Sequence, residues 1–275
     1  MNSDLAQIAR EIRIDILRMF YKSRHGHLAP ALSCVDILTV LYFAPILHID
    51  SPSSPNRDRM ILSKGHGCAA LYAVLARAGF FPRQELLTFY QYNSRLVGHP
   101  TNRLPGIEVP TGSLGHGICF ATGTALAAKL DNLDFKTFVI LGDGESQEGS
   151  VWEAAEFAAQ QKLTNLIAII DYNHLQASGR IENIMDVAPL KDKWTAFGWN
   201  VYETDGHDVN EIKNTVSQAV SDNEKPSLIV AHTVKGKGVT IAENSESWHS
   251  RSPSDEQWEQ ICRDMKISLE DLENI

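Results

Sequence analysis

A chain of 275 residues with 43% hydrophobic and 21% charged residues has an ordinary globular composition, and it is long enough to bury a core without disulfides or a structural metal. A formal net charge of −9, with no basic run, argues against nucleic acid or an anionic membrane surface as the main partner, because both reward clustered Lys and Arg. No apolar stretch is long enough to span a bilayer, residues 1–9 lack a secretory pattern, and Cys34, Cys68, Cys119 and Cys262 stand singly without a CxxC pair, so reduced thiols and a cytoplasmic location are expected.

Leu5, Ile8, Ile12, Ile16 and Phe20 recur at helical spacing and predict a first helix, followed by a polar break from Lys22 to His27. Ser33 and Asp36 form an S-x-x-D start signal ahead of Ile37, Leu38 and Leu41, and Pro45 ends that helix. A Pro-, Ser- and Asn-rich loop runs from Asp50 to Asn56. Met60-Ile61-Leu62 reads as a short strand entering Ser63-Lys64-Gly65-His66-Gly67, and the next helix stops at Gly79. From Leu96 to Gly117 the chain reads as one long loop, punctuated by Gly, Pro and His; so long a loop inside a compact domain is usually functional or disordered.

The centre alternates strands with helices. Thr137–Leu141 is a buried-type strand ending at Gly142-Asp143-Gly144, a helix covers Gly149–Gln161, and Leu166–Ile170 is a second strand ending at Asp171-Tyr172-Asn173. Helices near Leu190–Phe197 and Val209–Val220 precede strands at Asn200–Glu203 and Leu228–Ala231. This order predicts an α/β fold, a three-layer α/β/α sandwich with a mostly parallel central sheet. No internal repeat or domain boundary is visible, so residues 1–275 are read as a single domain. Ligands of such sheets bind beyond the carboxyl ends of the strands, where Asp143 and Asn173 converge.

Those two residues carry the main chemical signal. Glycines at 142 and 144 allow a tight turn and a close approach to a phosphate, and the aspartate between them supplies a hard oxygen ligand. About thirty residues later Asn173 offers a second oxygen, and the backbone carbonyl of Leu175 could complete the protein's share. Mg²⁺ or Ca²⁺ prefers such ligands and bridges diphosphates. The stretch contains neither a P-loop nor a dinucleotide fingerprint.

With Gly26-His27, Leu62–Gly67, Gly98-His99-Pro100, Thr111–Gly115, Gly142–Glu145, Asn173, Asp205–Asp208 and Lys225–Ser227 in this order, the chain resembles the N-terminal domain of transketolase from about Ala9 to Ser250. The resemblance implies thiamine diphosphate as cofactor, with His66, Gly112, Ser113, Leu114, Gly142, Asp143, Gly144, Glu145 and Asn173 around it. It further implies that His27, His66, His99 and His249 line the funnel to the thiazolium. Imidazole suits that place, because near neutrality it can donate or accept a proton. Glu148 and Glu153 are then expected at a subunit interface, near the partner's activating glutamate; a solvated helix start is the alternative. His207 is expected to shape a turn, and Lys235–Gly238 either closes over the site or is solvated. His116 stands where many transketolases carry Gln, and His232 where relatives often carry Lys.

A full transketolase adds a pyrimidine-binding domain after this portion, whereas this sequence ends at Ile275. The expectation is therefore a split transketolase that transfers a two-carbon ketol unit between sugars or sugar phosphates. A second subunit would supply the pyrimidine-binding domain, in a heterotetramer of two of each. An α-type subunit of a 2-oxo acid dehydrogenase and a non-catalytic homologue are the rival readings.

Overall fold

The computed structural model describes residues 4–49, 51 and 53–275, so positions 50 and 52 of the expected loop and the first three residues lie outside the described residues. Helix α1 (Leu5–Ser23) starts where the Asp4 side chain accepts the Gln7 amide. Helices α2 (Leu28–Ser33) and α3 (Val35–Phe43) follow, then strand β1 (Arg59–Leu62) and helix α4 (Cys68–Arg77). Helix α5 (His116–Leu130) leads to strand β2 (Thr137–Gly142), helix α6 (Gly149–Gln160) and strand β3 (Leu166–Tyr172). A small hairpin of β4 (Leu175–Gln176) and β5 (Gly179–Arg180) precedes α7 (Ile181–Ile184), α8 (Leu190–Ala196) and strand β6 (Asn200–Asp205). Helix α9 (Val209–Ser221), strand β7 (Ser227–His232) and helices α10 (Asp255–Met265) and α11 (Leu269–Glu273) complete the chain.

Five strands form one parallel sheet in the order β1-β2-β3-β7-β6. Side chains alternate cleanly across it, as the strand period of two requires. Phe138, Ile140, Ile167, Ile169 and Ile229 pack under α1, α3, α4 and α9, while Val139, Leu141, Ala168, Ile170 and Val230 pack under α5, α6 and α8. Both faces are buried, which explains why these strands read as continuous apolar runs. The predicted three-layer class is the one observed.

Three local readings are corrected. The helix expected after Ser33 and Asp36 is present as α3, with Asp36 in its first turn, but neither side chain caps it: Cys34 is the N-cap without any side-chain bond, and both polar groups point inward to charged partners. The 96–117 loop ends earlier, because His116 and Gly117 already belong to α5. That helix has no amphipathic stripe to read, being apolar around most of its circumference. Strand β3 also runs on through Asp171 and Tyr172.

Asp171 is fully buried, and so is Lys64, which forms an ion pair with it. The Lys64 ammonium also donates to the Pro30 carbonyl (3.0 Å) and to Ser33 Oγ (3.2 Å). Ser33 Oγ donates to Asp171 Oδ2 at 2.5 Å, and Thr233 Oγ1 donates to Oδ1. Burial alone pushes the Asp171 carboxyl up, but the Lys64 charge and the hydrogen bonds it accepts from Lys64, Ser33 and Thr233 overcome this and hold the group below the usual carboxylate range. One cluster thus ties the ends of β1 and β3 to α2 and to the segment after β7.

Removing one partner strands a buried charge, so Lys64→Met is expected to cost about 3–5 kcal/mol in urea unfolding. The double variant Lys64→Met/Asp171→Asn should lose less than the single one.

Candidate functional site

At the carboxyl end of the sheet lies a cavity of about 220 Å³. His66, Leu114, Asp143, Gly144, Glu145, Glu148, Asn173, Leu175 and His249 line it, joined by Lys235. Asp143 sits just past β2, and Asn173 just past β3, the neighbouring strand. Asp143 Oδ1 accepts the Gly144 amide (2.7 Å), and Oδ2 accepts the His174 amide (2.5 Å). Burial, followed by the charge of Asp171, pushes the Asp143 carboxyl up to about 7, against the pull of those amides and of Lys64. A carboxylate so placed gains from a cation.

The rest of the corner fits that need. Asn173 Oδ1 accepts the Leu175 amide (3.1 Å), which fixes the side chain beside Asp143. The Leu175 carbonyl accepts Lys235 Nζ at 3.0 Å, and the Gln176 carbonyl accepts it at 3.3 Å. A cationic group therefore already rests on the carbonyl expected to ligate a metal. Among the described residues no three His, Cys, Asp or Glu side chains gather as a metal site. One carboxylate, one amide oxygen and one carbonyl suit a hard ion that completes its shell with phosphate and water.

Glu145, expected as a cofactor contact, lines the cavity and also has a structural part. Its buried carboxylate accepts Ser63 Oγ, the Gly115 amide (2.8 Å) and the Gly142 amide (3.1 Å). Those bonds clamp the Thr111–Gly115 loop to the end of β2. Gly142 lies behind the cavity, and a Cβ there would meet only Lys64 Cβ at 3.8 Å. Gly144 is confined by Gln176 Cβ, which would lie 3.0 Å from an added Cβ. Gly112 has φ +147°, and a Cβ there would come within 3.0 Å of the His99 ring, so the loop and His99 interlock. Ser113 is exposed at the loop's tip.

The four expected histidines do come together. His27 lies 5.8 Å from His66, 5.8 Å from His99 and 5.4 Å from His249, measured between ring centroids, and His66 lies 5.3 Å from His249. Burial lowers all four basicities. For His66 the Lys64 charge adds to burial, and for His249 the Lys235 charge does, bringing His249 to about 3. All four rings are neutral at physiological pH, each with one donor and one acceptor nitrogen. His27 Nδ1 is buried without a hydrogen-bond partner.

Other expectations separate from this group. Glu148 caps α6 from an exposed position at the cavity rim, and Glu153 is exposed on the same helix. His116 faces outward from α5, and His232 is exposed, 5.5 Å from Tyr172 and beside Glu203. Lys235 is almost fully buried and lines the cavity, which fits the site-closing alternative for its loop and not the solvated one. The roles of Lys64 and Asp171 have no sequence signal, since nothing in their spacing marks them. A lysine followed by a glycine looks solvated until a buried carboxylate or carbonyl is placed beside it.

Comparisons with known proteins identify the family. A family model described as "Transketolase, thiamine diphosphate binding domain" matches residues 2–267. The chain is 45% identical over 260 residues to an apulose-4-phosphate transketolase subunit from Phocaeicola vulgatus, covering 94% of this chain and 92% of that one. It is 42% identical to a 6-deoxy-6-sulfo-D-fructose transketolase subunit from Clostridium, covering 96% of both. A crystal structure of transketolase from Campylobacter jejuni superposes with a TM-score of 0.89 at 31% identity, over 98% of this chain but only 44% of that one.

Because the folded basicity of His249 lies below its unfolded value near 6.5, the unfolded state takes up the proton first. Its contribution is present above about pH 6.5 and is lost as pH falls below that value. Thermal unfolding between pH 6.5 and 5 should show this loss, and His249→Asn should flatten the dependence by about one proton.

Proposed function

Since this chain belongs to the transketolase family, matching its thiamine-diphosphate-binding domain over nearly its whole length, we propose that it is the diphosphate- and metal-holding subunit of a two-chain transketolase. The observation that carries this reading is the meeting, in one cavity, of the Asp143–Asn173–Leu175 corner with the neutral imidazoles of His66 and His249, against which His27 packs, with His99 beyond it. Asp143, Asn173 and the Leu175 carbonyl would hold Mg²⁺ (or Ca²⁺), and the Gly112–Leu114 loop would border the diphosphate. Thiamine diphosphate, when bound, supplies the electron sink for cleaving the C2–C3 bond of a ketose.

The chain's own groups supply binding and proton positions. Neutral His27, His66, His99 and His249 present N–H donors to a substrate carbonyl oxygen and its hydroxyls. The protein half-buries these rings, which reduces the water that competes for them. Glu148, at the rim, would meet a glutamate from the partner.

Dependence on a second chain has two supports. Relatives called transketolase subunits match this chain along almost their entire length, while the solved transketolase chains are more than twice as long as the matched part. The outer face of α5 and α6 is also unpartnered: Phe120 is 50% exposed, Leu130 71% and Phe157 45%. Gly123, inside α5, has nothing within 4 Å of an added Cβ. A mid-helix glycine costs about 1 kcal/mol relative to alanine, and no neighbour within the chain requires it. We assign this face to the pyrimidine-side subunit, in an assembly of two of each chain. The four unpaired cysteines fit a reducing, cytoplasmic setting. Both relatives' names carry an anionic group, phosphate or sulfonate, which supports an anionic ketose as donor.

The chain alone is expected to show no ketol transfer, and adding the pyrimidine-side subunit should restore it. Decarboxylation of a 2-oxo acid in place of ketol transfer would overturn the reading. Asp143→Ala should abolish Mg²⁺-dependent thiamine diphosphate binding to the complex, as read by calorimetry, with the fold retained by circular dichroism.

A further inference from the structure

In the sequence Asp36 looks like a helix signal and His207 like a turn former, yet both are buried in a cluster that ends beside the cavity. Asp36 Oδ1 accepts Arg13 Nη1 (3.0 Å), and Oδ2 accepts Arg13 Nη2 (2.5 Å) in a two-pronged ion pair. The same Oδ2 lies 2.7 Å from His207 Nδ1. On the far side of the ring, His207 Nε2 accepts the Val234 amide at 2.8 Å. A backbone N–H can only donate, so Nε2 carries no proton and Nδ1 carries it. Arg13 grips the same segment: its Nε donates to the Lys237 carbonyl at 3.1 Å.

One carboxylate therefore orients two side chains, and each holds a backbone atom of the strap 234–237. Between these grips stands Lys235, whose Nζ reaches the Leu175 and Gln176 carbonyls and His249 Nδ1 (2.9 Å). The side chains of the brace are nearly enclosed, 10% exposed for Arg13, 7% for Asp36 and 12% for His207. Enclosure makes the hydrogen bonds directional and the cluster rigid. The strap is further anchored at Gly236, whose amide donates to the Ala29 carbonyl (3.0 Å), at Lys235, whose carbonyl accepts the Asn244 amide (2.9 Å), and by its own turn from the Lys237 amide to the Val234 carbonyl (3.1 Å); the Val234 amide, on the residue before Lys235, is held by His207.

We propose that Asp36, Arg13 and His207 are positioning residues that set where the Lys235 ammonium stands in the diphosphate cavity. This rests on the functional reading above for what Lys235 meets, but not for the brace itself. His207 touches no ligand and acts through Val234. Its two nitrogens do separate jobs, which two substitutions resolve. His207→Asn keeps a donor near Asp36 but is too short to reach Val234. His207→Gln carries an amide oxygen out to the Val234 amide.

The first readout is amide hydrogen exchange in the ligand-free full chain. His207→Asn should speed exchange over residues 234–237 about tenfold, and His207→Gln should restore most of the protection. The second is calorimetric affinity for thiamine diphosphate with Mg²⁺ in the two-chain complex, measured in wild-type and Lys235→Met backgrounds. His207→Asn should weaken binding about tenfold when Lys235 is present and by less than about twofold when it is absent. Unchanged exchange, or an equal loss of affinity in both backgrounds, would overturn the proposal. If His207→Asn does not fold, Arg13→Lys, which keeps the charge but loses the fork, takes its place in both measurements. A complex that binds no thiamine diphosphate at all would sink the functional reading, while the exchange result would still decide the brace.

Discussion

The buried pair of Lys64 and Asp171 is the constraint on which the site depends. It joins the end of β1 to the end of β3 across the intervening β2, and it draws in Ser33 from α2 and Thr233 from beyond β7. Ion pairs of this kind gain little net stability, because desolvation offsets attraction. What this one supplies is register. His66 lies two residues after Lys64, Asn173 two after Asp171, and Lys235 two after Thr233. The elements that must face one another at the cavity are each fixed within a residue or two of a single ionic contact.

Charge is distributed unevenly around that contact. Asp171 is neutralised by Lys64, and Glu145 is absorbed by Ser63 and two amides. Asp143 has amides but no direct cation, so its charge remains to be met. Lys235, lowered to about 8 by burial and by Lys64, stands ready to face an anion. Unmet negative and positive groups in one cavity suit a metal diphosphate, which carries both signs. Above them the imidazoles stay neutral, as groups must that donate and accept protons without bringing a further charge into a closed space.

Much of this is legible in the chain. Apolar runs at 137–141, 166–170 and 228–231 mark central strands, because burial on both faces removes the polar alternation of an open sheet. Asp143 and Asn173 stand out because both follow such runs, and Gly- and Pro-flanked histidines mark loops. Helix α5 is invisible for the opposite reason: its outer face is apolar too, which removes the period that betrays a helix. Ser33 and Asp36 resemble a cap because short polar side chains cap helices well, and only tertiary partners distinguish the two uses. Asp171 sits at the end of an apolar run and looks like a turn, since no local signal announces a lysine more than a hundred residues away. Glu145, expected as a cofactor contact, holds up the loop that borders the cavity.

The most direct test of this account is a crystal structure of the chain with its partner subunit, thiamine diphosphate and Mn²⁺, read by anomalous scattering. The account predicts one Mn²⁺ peak within bonding distance of Asp143, Asn173 Oδ1 and the Leu175 carbonyl, with diphosphate oxygens completing its shell. A diphosphate bound elsewhere, or a metal whose ligands exclude Asp143 and Asn173, would contradict it.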